Sequence, residues 1–251
     1  MDIEAIAFDV NGTLIEILTV DDMEEAFRAV GHLLTYQGID LRRHEVRDLY
    51  FQTLSAQKRA GAEQYPEFDA EEVWRAVIDT HATDFTRALP PEKLAQLPVL
   101  LAETYRGVTR RRLKLYPYVR KVLSILHGRI PMAIVTDAQS TYARGELHAV
   151  GIRDFFEEVI VSGDHGYRKP DRRLFDMAVD ALGVPAANTL YVGNDMFRDI
   201  YGGQNAGMQT MMFDSDQGTK VHGDTVPDHT ITDHRQLLEI LGLATTDMAD
   251  W

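Results

Sequence analysis

Short apolar runs alternate with segments of helical periodicity from about residue 116 onward. Runs this short fit buried strands, and a helix between two of them lets the second strand pair parallel to the first. The predicted strands span residues 131–136, 159–161, 189–192, 208–213 and 229–232. This alternation predicts an α/β fold, with a doubly wound parallel sheet covered by helices on both faces.

One more apolar run, Ile3–Phe8, stands near the N-terminus and is followed directly by Asp9, Asn11 and Gly12. A buried strand with polar residues at its carboxyl end is where open α/β sheets bind ligands. An Asx turn beside glycine has the same composition, so this stretch alone supports both interpretations. In either case, it supplies a first strand for the predicted sheet.

Helical patterns fill the chain between this first strand and the later ones, and no convincing strand pattern interrupts them. The predicted helices begin near Met23, Arg43, Ala70 and Glu92, and the last two continue to about Leu89 and Arg112. The sequence therefore predicts an all-helical domain inserted into an α/β core. The predicted boundaries are 1–15 and 116–242 for the core, 16–115 for the helical domain and 243–251 for a C-terminal tail.

Charge and composition limit the partners. The chain carries 26 basic and 39 acidic residues, a formal net charge of −13, which disfavours nucleic acids and anionic membranes. It contains no cysteine, no secretory signal pattern and no apolar run long enough to cross a bilayer, and these features favour a cytoplasmic protein. An anionic small-molecule substrate would need a local positive charge from a metal ion, a lysine or a helix N-terminus.

Polar side chains stand at the carboxyl ends of several predicted strands, and a lysine lies in a loop ahead of a predicted helix. These residues are Asp9, Asn11, Thr136, Asp195, Asp199 and Lys169. We expect them to converge, because the carboxyl ends of parallel strands share one edge of the sheet. Clustered carboxylates repel one another unless a cation joins them. Mg²⁺ is the usual cation among a few carboxylates, waters and phosphate, so the pattern predicts a Mg²⁺ site.

The order and wording of these segments resemble the haloacid dehalogenase superfamily. Its four motifs appear here as Asp9-Val10-Asn11-Gly12-Thr13, Thr136, Lys169-Pro170-Asp171, and Asp195 with Asp199. The likeness covers the whole predicted core, and the helical insertion is similar to that family's cap domain. The resemblance implies a Rossmann-like core, a Mg²⁺ cofactor and a hydrolase that cleaves the phosphate monoester of a small metabolite.

By this resemblance, Asp9 is the nucleophile, which attacks phosphorus and forms an aspartyl-phosphate. Thr136 hydrogen-bonds a phosphoryl oxygen, and Lys169 neutralises charge on the phosphoryl group. Gly12 and Asp137 complete the implied phosphate-binding set, together with the amides that open the helix after Thr136. From the residues alone, plainer roles stay open, since Thr136 could cap a helix and Lys169 could be solvated.

The resemblance also implies a metal site. Its implied residues are Asp9, Asn11 through its backbone carbonyl, Asp195 and Asp199. Asp195 would bind Mg²⁺ directly, whereas Asp199 would orient a water ligand or Lys169. Compensation of the positive end of a helix is the plainer role for both carboxylates.

One position departs from the family's pattern. Phosphatases of this family normally carry a second aspartate two residues after the nucleophile, where it protonates the leaving alkoxide and then activates water. This chain has Asn11 there. An amide exchanges no proton near neutral pH, and losing a general acid–base group costs about 10²–10⁴ in rate. The sequence therefore predicts a site equipped for metal and phosphate but impaired in ester hydrolysis.

Four explanations of Asn11 stay open. The asparagine could be an engineered substitution, or it could deamidate to aspartate because a glycine follows it. It could also serve a substrate whose leaving group needs little protonation, such as an acyl phosphate. Finally, the protein could have given up turnover and kept binding, which would make it a metal- and phosphate-binding protein of the same fold.

Two other reactions of the superfamily fit the residues less well. Dehalogenation needs no leaving-group proton, but the dehalogenases lack the acidic pair retained here as Asp195 and Asp199. Phosphonate cleavage needs a cap lysine that forms a Schiff base. Lys58 is the only lysine in the first half of the cap, and its surroundings indicate an exposed helical face.

The cap offers several candidates for contacting the distal part of a substrate, although solvated helix faces explain them as well. They are Arg42, Arg43, Lys58, Arg59 and Arg110-Arg111-Arg112. Trp74 and Tyr65 are expected to pack rather than to recognise a ligand. The sequence therefore predicts a small phosphorylated substrate by class but does not name it.

Overall fold

The computed structural model describes residues 2–243, so most of the predicted C-terminal tail lies outside the described residues. The strands are β1 (Ala5–Phe8), β2 (Ile15–Thr19), β3 (Arg110–Leu115), β4 (Met132–Thr136), β5 (Glu158–Val161), β6 (Thr189–Gly193), β7 (Gln209–Phe213) and β8 (His229–Ile231). The α-helices are α1 (Glu24–Tyr36), α2 (Arg43–Ala60), α3 (Ala70–His81), α4 (Asp84–Arg87), α5 (Pro91–Thr109), α6 (Val119–Leu126), α7 (Ser140–Ala149), α8 (Arg172–Leu182), α9 (Gly202–Asn205) and α10 (Arg235–Ile240). A π-helical segment, Met196–Tyr201, precedes α9.

Six strands form one parallel sheet in the order β5-β4-β1-β6-β7-β8. The N-terminal strand β1 is central, and Phe8 is paired with Ile134 of β4 on one side and Val192 of β6 on the other. The carboxyl ends of β1, β4 and β6 therefore lie side by side. The predicted fold class, a doubly wound α/β sheet, is confirmed.

Alternate residues of β1 face two different helical layers. Ile6 and Phe8 pack into a cluster with buried side chains of α6, α7 and α10. Ala5 and Ala7 face the opposite cluster, to which α8 contributes. Since successive side chains of a strand point to opposite faces, a strand that is apolar at every position requires cover on both sides.

The inserted helices have a core of their own. Phe27, Tyr50, Trp74, Leu101 and Tyr105 are buried together, and Trp74 stacks on Tyr50 with ring centroids 4.8 Å apart. Trp74 is fully buried, in agreement with its expected packing role. A separate apolar core is what an inserted domain needs in order to hold its shape, while the exact domain boundaries stay a prediction.

The expectation of an all-helical insertion is wrong at both of its ends. Residues of β2 and β3 pair as a two-stranded antiparallel ribbon, and helix α5 ends at Thr109 instead of continuing to Arg112. Glu16 on β2 forms ion pairs with Arg112 and with Lys114, the latter at 2.7 Å. The exposed Arg112 and Lys114 alternate with Leu113 and Leu115, which pack against the core. The arginines that precede them make this period of two hard to recognise in the sequence.

The predicted helix over residues 70–89 is also divided. Helix α3 ends at His81, and the short α4 begins after Thr83, whose hydroxyl accepts a hydrogen bond from the Thr86 amide. Threonine favours such caps because its oxygen replaces the missing backbone acceptor. None of the helices in the described part of the chain combines the length and the apolar character that crossing a membrane requires.

A buried histidine ties α10 to the loop after β1. His234 is 2% exposed, and its Nε2–H donates to the Thr13 carbonyl at 2.9 Å, a bond that both the neutral and the protonated ring can make. Burial lowers the pKa of His234 to about 4, although the Thr13 carbonyl opposes this shift. In the unfolded chain, an ordinary histidine binds a proton near pH 6.5, so acid favours the unfolded state.

We expect His234 to contribute a pH dependence to the free energy of unfolding. The contribution is fully present above pH 6.5 and is lost as the pH falls toward 4, by about 3 kcal/mol in total. The variant His234→Gln should therefore approach the wild-type stability as the pH falls from 7 to 4.5, in urea denaturation at several pH values. His148→Gln serves as the control, because His148 is exposed. A constant difference between His234→Gln and wild type across this range would contradict the assignment.

Candidate active site

Lys169 joins the side chains at the carboxyl edge of the sheet. Its Nζ lies 2.7 Å from Oδ1 of Asp9, which follows β1, and 2.6 Å from Oδ1 of Asp199. It also donates to the Val135 carbonyl at 3.2 Å and lies 3.1 Å from the Tyr191 hydroxyl. Three residues that the sequence analysis predicted to converge are thus in direct contact.

The Lys169 side chain is 1% exposed, so its charge has almost no contact with water. Burial alone would lower the pKa of Lys169, but the carboxylates of Asp199 and Asp9 outweigh it and raise the pKa well above its ordinary value. The lysine therefore stays positive at neutral pH. A buried positive charge beside Asp9 is suited to stabilising a carboxylate and any anion that approaches it.

A tight turn fixes the second oxygen of Asp9. The Thr13 hydroxyl donates to Oδ2 of Asp9 at 2.9 Å, and the Asp9 amide donates to the Val192 carbonyl of β6 at 2.9 Å. Gly12 adopts φ = +88°, and a Cβ there would lie 2.3 Å from Nδ2 of Asn194. Only glycine allows this turn to pack so closely against the loop after β6.

Asp199 has no free oxygen. Its Oδ1 faces Lys169, and its Oδ2 accepts the amides of Asn194 and Asp195, each at 3.0 Å. Gly193 makes room for it, since a Cβ there would lie 2.4 Å from Cβ of Asp199. This geometry suits the predicted action of Asp199 on Lys169, and it leaves no oxygen for direct contact with a metal ion.

Asp195 begins the π-helical segment and is almost fully buried. Its Oδ1 accepts the amides of Phe197 and Arg198 at 3.0 and 2.8 Å. Its Oδ2 accepts the Thr219 amide at 2.9 Å and Nη2 of Arg198 at 3.0 Å. Burial opposes ionisation, but these amides and the Arg198 guanidinium lower the pKa of Asp195 to about 2. The carboxylate is ionised and is also a helix cap, which was its plainer predicted role.

Asp137, which follows β4, faces cations and an amide. Its Oδ1 accepts the Lys169 amide at 2.9 Å. Its Oδ2 lies 3.3 Å from Nη2 of Arg168 and 3.6 Å from Nη1 of Arg198. An anionic side chain engaged in this way orders the Lys169 loop, while its predicted contact with phosphate stays a prediction.

Thr136 ends β4, and its buried hydroxyl oxygen has no hydrogen-bond partner. Together with Asn11 it lines a small cavity of about 10 Å³. A buried hydroxyl without a partner costs about 1–3 kcal/mol, and native structures contain few such groups. This orphaned hydroxyl can therefore bond one further oxygen, and a cavity of this size holds about one water molecule.

A larger cavity of about 360 Å³ lies between the inserted helices and the sheet edge. Asn11, Asp137 and Ala138 form its floor on the core side. The other lining residues are Thr19, Asp21, Tyr50, Phe51, Leu54, Lys58, Glu67, Phe68, Tyr105, Arg106, Gln139, Tyr142 and Arg168. The mixture of aromatic walls and a few charged groups is typical of a small-molecule site.

Of the cap cations predicted as substrate contacts, Lys58 lines this cavity, where its Nζ lies 3.9 Å from Glu67. The expectation that Lys58 belongs to an exposed helical face is therefore wrong, since only 31% of its side chain is exposed. The cavity lining does not include Arg42, Arg43, Arg59 or Arg110-Arg111-Arg112. Three of these pair with carboxylates elsewhere: Arg43 with Glu24 at 2.9 Å, Arg110 with Glu146 at 3.1 Å, and Arg112 with Glu16.

Hydrogen bonds close the cap over the core. Nε2 of Gln139 donates to the Phe68 carbonyl at 2.7 Å, and the Ala70 amide donates to Oε1 of Gln139 at 2.8 Å. The Arg168 amide donates to the carbonyl of Tyr65 at 2.9 Å. The loop that carries Lys169 is thus joined directly to the cap.

Four side chains that shape the site were not predicted to do so. They are Thr13, Tyr191, Asn194 and Arg198. Tyr191 is hidden in an apolar run, and only the alternation of that strand indicates that it faces the layer opposite Leu190 and Val192. Arg198 stands three residues after Asp195, a spacing at which helical side chains meet, and this was the available signal.

The donors at this edge are chemically suited to Mg²⁺, which prefers carboxylate and carbonyl oxygens. Asp9 and Asp195 and the backbone carbonyl of Asn11 are of this type. Within residues 2–243, however, no three acidic or histidine side chains are gathered into a ready-made metal cluster. Lys169 and Arg198 hold the carboxylates instead. The donors thus fit Mg²⁺ in chemical type, while in this structure Arg198 occupies Asp195.

Known proteins resemble this chain in sequence and in fold. The family model described as haloacid dehalogenase-like hydrolase matches residues 3–207, which include all four motifs. A glyceraldehyde 3-phosphate phosphatase of Pyrococcus abyssi is 36% identical over 110 residues, which cover 43% of this chain and 46% of that relative. Here the alignment therefore spans about half the length of the relative.

A second glyceraldehyde 3-phosphate phosphatase, from Methanothermobacter thermautotrophicus, is 26% identical over 245 residues, or 95% of this chain and 100% of the relative. Among solved structures, a 2-haloacid dehalogenase from Pseudomonas syringae pv. tomato has the same fold, with a TM-score of 0.67 and 22% identity over 96% of this chain and 98% of that one. Because the family model covers most of the sequence and all four motifs, this chain belongs to the haloacid dehalogenase-like hydrolases, as the resemblance predicted.

Proposed function

We propose that this protein is a Mg²⁺-dependent phosphomonoester hydrolase that acts through an aspartyl-phosphate on Asp9. The observation that carries the proposal is the buried contact of 2.7 Å between Asp9 and the Lys169 ammonium. It places the carboxylate proposed as the nucleophile beside a positive charge, as covalent catalysis of this type needs. The unpaired hydroxyl of Thr136 on the neighbouring strand supports the proposal, because a phosphoryl oxygen would complete its hydrogen bonding.

The proposed reaction has two steps. An oxygen of Asp9 bonds to phosphorus while the ester P–O bond breaks, and the leaving oxygen takes its proton from solvent, because the Asn11 amide has none to give. The oxygen of a water molecule then attacks phosphorus, the bond to Asp9 breaks, and inorganic phosphate leaves with the carboxylate restored. Lys169 offsets negative charge on the phosphoryl oxygens in both steps.

Asp9, the backbone carbonyl of Asn11 and Asp195 would hold Mg²⁺. When bound, the ion would neutralise charge on the phosphate. Asp199 would act on the lysine, since both of its oxygens are engaged by Lys169 and two amides.

The proposed substrate class is a small phosphorylated metabolite. The cavity of about 360 Å³ suits a compound of a few carbon atoms with its phosphate at the floor beside Asn11 and Asp137. The two relatives described above, one aligned over its full length and one over about half of it, are both named glyceraldehyde 3-phosphate phosphatase. This three-carbon ester is therefore the first compound to test. A cytoplasmic location agrees with such a substrate and stays a prediction.

The second candidate is a metal- and phosphate-binding protein with little turnover, and Asn11 is the observation that favours it. Hydrolysis of p-nitrophenyl phosphate with and without Mg²⁺ separates the two. Its phenolate leaves without a proton, so the missing acid matters little. We expect turnover that depends on Mg²⁺. No turnover, combined with a rise in melting temperature on addition of beryllium fluoride, would favour the binding protein; no turnover and no such rise would refute both.

A further inference from the structure

The carboxylate of Asp195 has all its acceptor positions taken by the protein itself. One oxygen caps the π-helical segment through two amides, at 3.0 and 2.8 Å. The other accepts the Thr219 amide at 2.9 Å and the Arg198 guanidinium at 3.0 Å. Since a carboxylate offers about four lone-pair sites, a metal ion reaches Asp195 only if one of these donors leaves.

Of these four donors, the guanidinium of Arg198 is the one that can leave. The amides of Phe197, Arg198 and Thr219 belong to the backbone, and removing them would unwind the segment or its neighbouring loop. The Arg198 side chain is 33% exposed, whereas that of Asp195 is only 3% exposed. A guanidinium on a flexible stem at the edge of the site can rotate without disturbing the fold.

The Arg198 guanidinium also lies where the negative potential of the site is concentrated. Burial alone would lower its pKa, but the carboxylates of Asp195, Asp199, Asp9 and Asp137 together raise it above its ordinary value. These carboxylates include the two that would hold a divalent cation. Arg198 therefore supplies the charge compensation that such an ion would otherwise supply.

We propose that Arg198 is a resident cation that competes with the divalent metal for Asp195 and must move aside before the metal binds. The inference rests on the proposed function, because it requires a metal that binds at this edge. A second partner receives the displaced side chain: Oδ2 of Asp137 lies 3.6 Å from Nη1 of Arg198. The guanidinium can thus keep an ion pair when it leaves Asp195, which makes the exchange reversible.

Competition predicts that removing the guanidinium tightens metal binding. We expect Arg198→Gln to bind Mg²⁺ about tenfold more tightly than wild type, since a charge-assisted hydrogen bond no longer has to be broken. Isothermal titration calorimetry of Mg²⁺ into the protein without substrate measures this directly. The paramagnetic spectrum of Mn²⁺ gives an independent count of free ion, and neither readout depends on turnover. Arg198→Met is a second variant in case the glutamine itself caps Asp195.

Arg168→Gln is the matched control. Arg168 also pairs with Asp137, and its side chain is equally exposed at 33%, but its contacts do not include Asp195. It should leave the Mg²⁺ dissociation constant within about twofold of wild type. If both Arg198 variants bind Mg²⁺ with the wild-type constant or more weakly, the competition is refuted while the proposed hydrolase stands. If wild type and variants alike bind no divalent ion, the metal in the proposed function is refuted and the inference with it.

Discussion

Replacing Asp9 by asparagine is expected to lower kcat for phosphate-ester hydrolysis by about 10⁵-fold or more. An amide oxygen is a much weaker nucleophile than a carboxylate oxygen, and it carries no charge for Lys169 to hold in place. The fold should survive, because asparagine has the same shape and Lys169 keeps its contact of 2.6 Å with Asp199. The loss is therefore expected in the chemical step rather than in stability.

Release of inorganic phosphate from p-nitrophenyl phosphate and from glyceraldehyde 3-phosphate measures this loss. Asp176→Asn is the control. Asp176 lies on α8 with 44% of its side chain exposed and pairs with Arg172, so the rate of this variant should equal that of wild type. Wild-type protein quenched in acid during turnover should carry phosphate on the peptide that contains Asp9, and Asp9→Asn should carry none. A variant that keeps a tenth of the wild-type rate would exclude Asp9 as the nucleophile.

The meeting of Asp9 and Lys169 could be predicted although 160 positions separate them in the chain. The reason is topological, because every strand of a parallel sheet presents its carboxyl end to the same edge. Once the strand ends were located by apolar periodicity, the residues after them had to lie together. Lys169 lies just before the amino-terminal end of helix α8, and this end of the helix lies at the same edge of the sheet.

The ribbon of β2 and β3 could not be predicted in the same way. Its partners lie about a hundred positions apart. Each strand is short and contributes two apolar side chains to the core cluster, Ile15 and Ile17 from β2 and Leu113 and Leu115 from β3. The stretch Arg110-Arg111-Arg112 is as compatible with a solvated helix as with an edge strand. The ion pair between Arg112 and Glu16, a contact between distant parts of the chain, favours the strand over the helix.

The orientation of Asp195 could not be predicted from the sequence for a different reason. A carboxylate at the end of a strand can cap the following helix, pair with a cation or bind a metal, and all three uses require the same residue at the same position. Which of them holds depends on where Arg198 and the Thr219 amide lie in space. Sequence spacing gives the candidates, while geometry selects among them.

Of the four explanations for asparagine at position 11, deamidation to aspartate is the one that the structure favours least. The reaction begins when the backbone nitrogen of Gly12 attacks the asparagine side chain. Here the Gly12 amide donates to the Ile15 carbonyl at 2.8 Å. The turn is also packed against Asn194, which limits the rearrangement that cyclisation needs. We therefore treat Asn11 as the working residue of the folded protein.

Restoring the acid should then reveal what position 11 does. We expect Asn11→Asp to raise kcat for alkyl phosphates such as glyceraldehyde 3-phosphate by about 10²–10⁴-fold. Asn11 lines the floor of the cavity, so a carboxyl group there faces a bound ester. The gain for p-nitrophenyl phosphate should be much smaller, since its leaving group needs no proton. Steady-state rates for the two substrates, measured on wild type and variant, test both statements.

The contrast between the two substrates matters more than either rate alone. A gain for the alkyl ester only would identify proton transfer as the missing function, whereas equal gains would point to added charge or improved metal binding. Asn205→Asp, at an exposed position, adds the same charge away from the site and should change neither rate. If Asn11→Asp gains nothing on either substrate, the acid–base account of position 11 is wrong. The natural substrate would then carry a leaving group that departs unaided, and the wild-type asparagine would be suited to it as it stands.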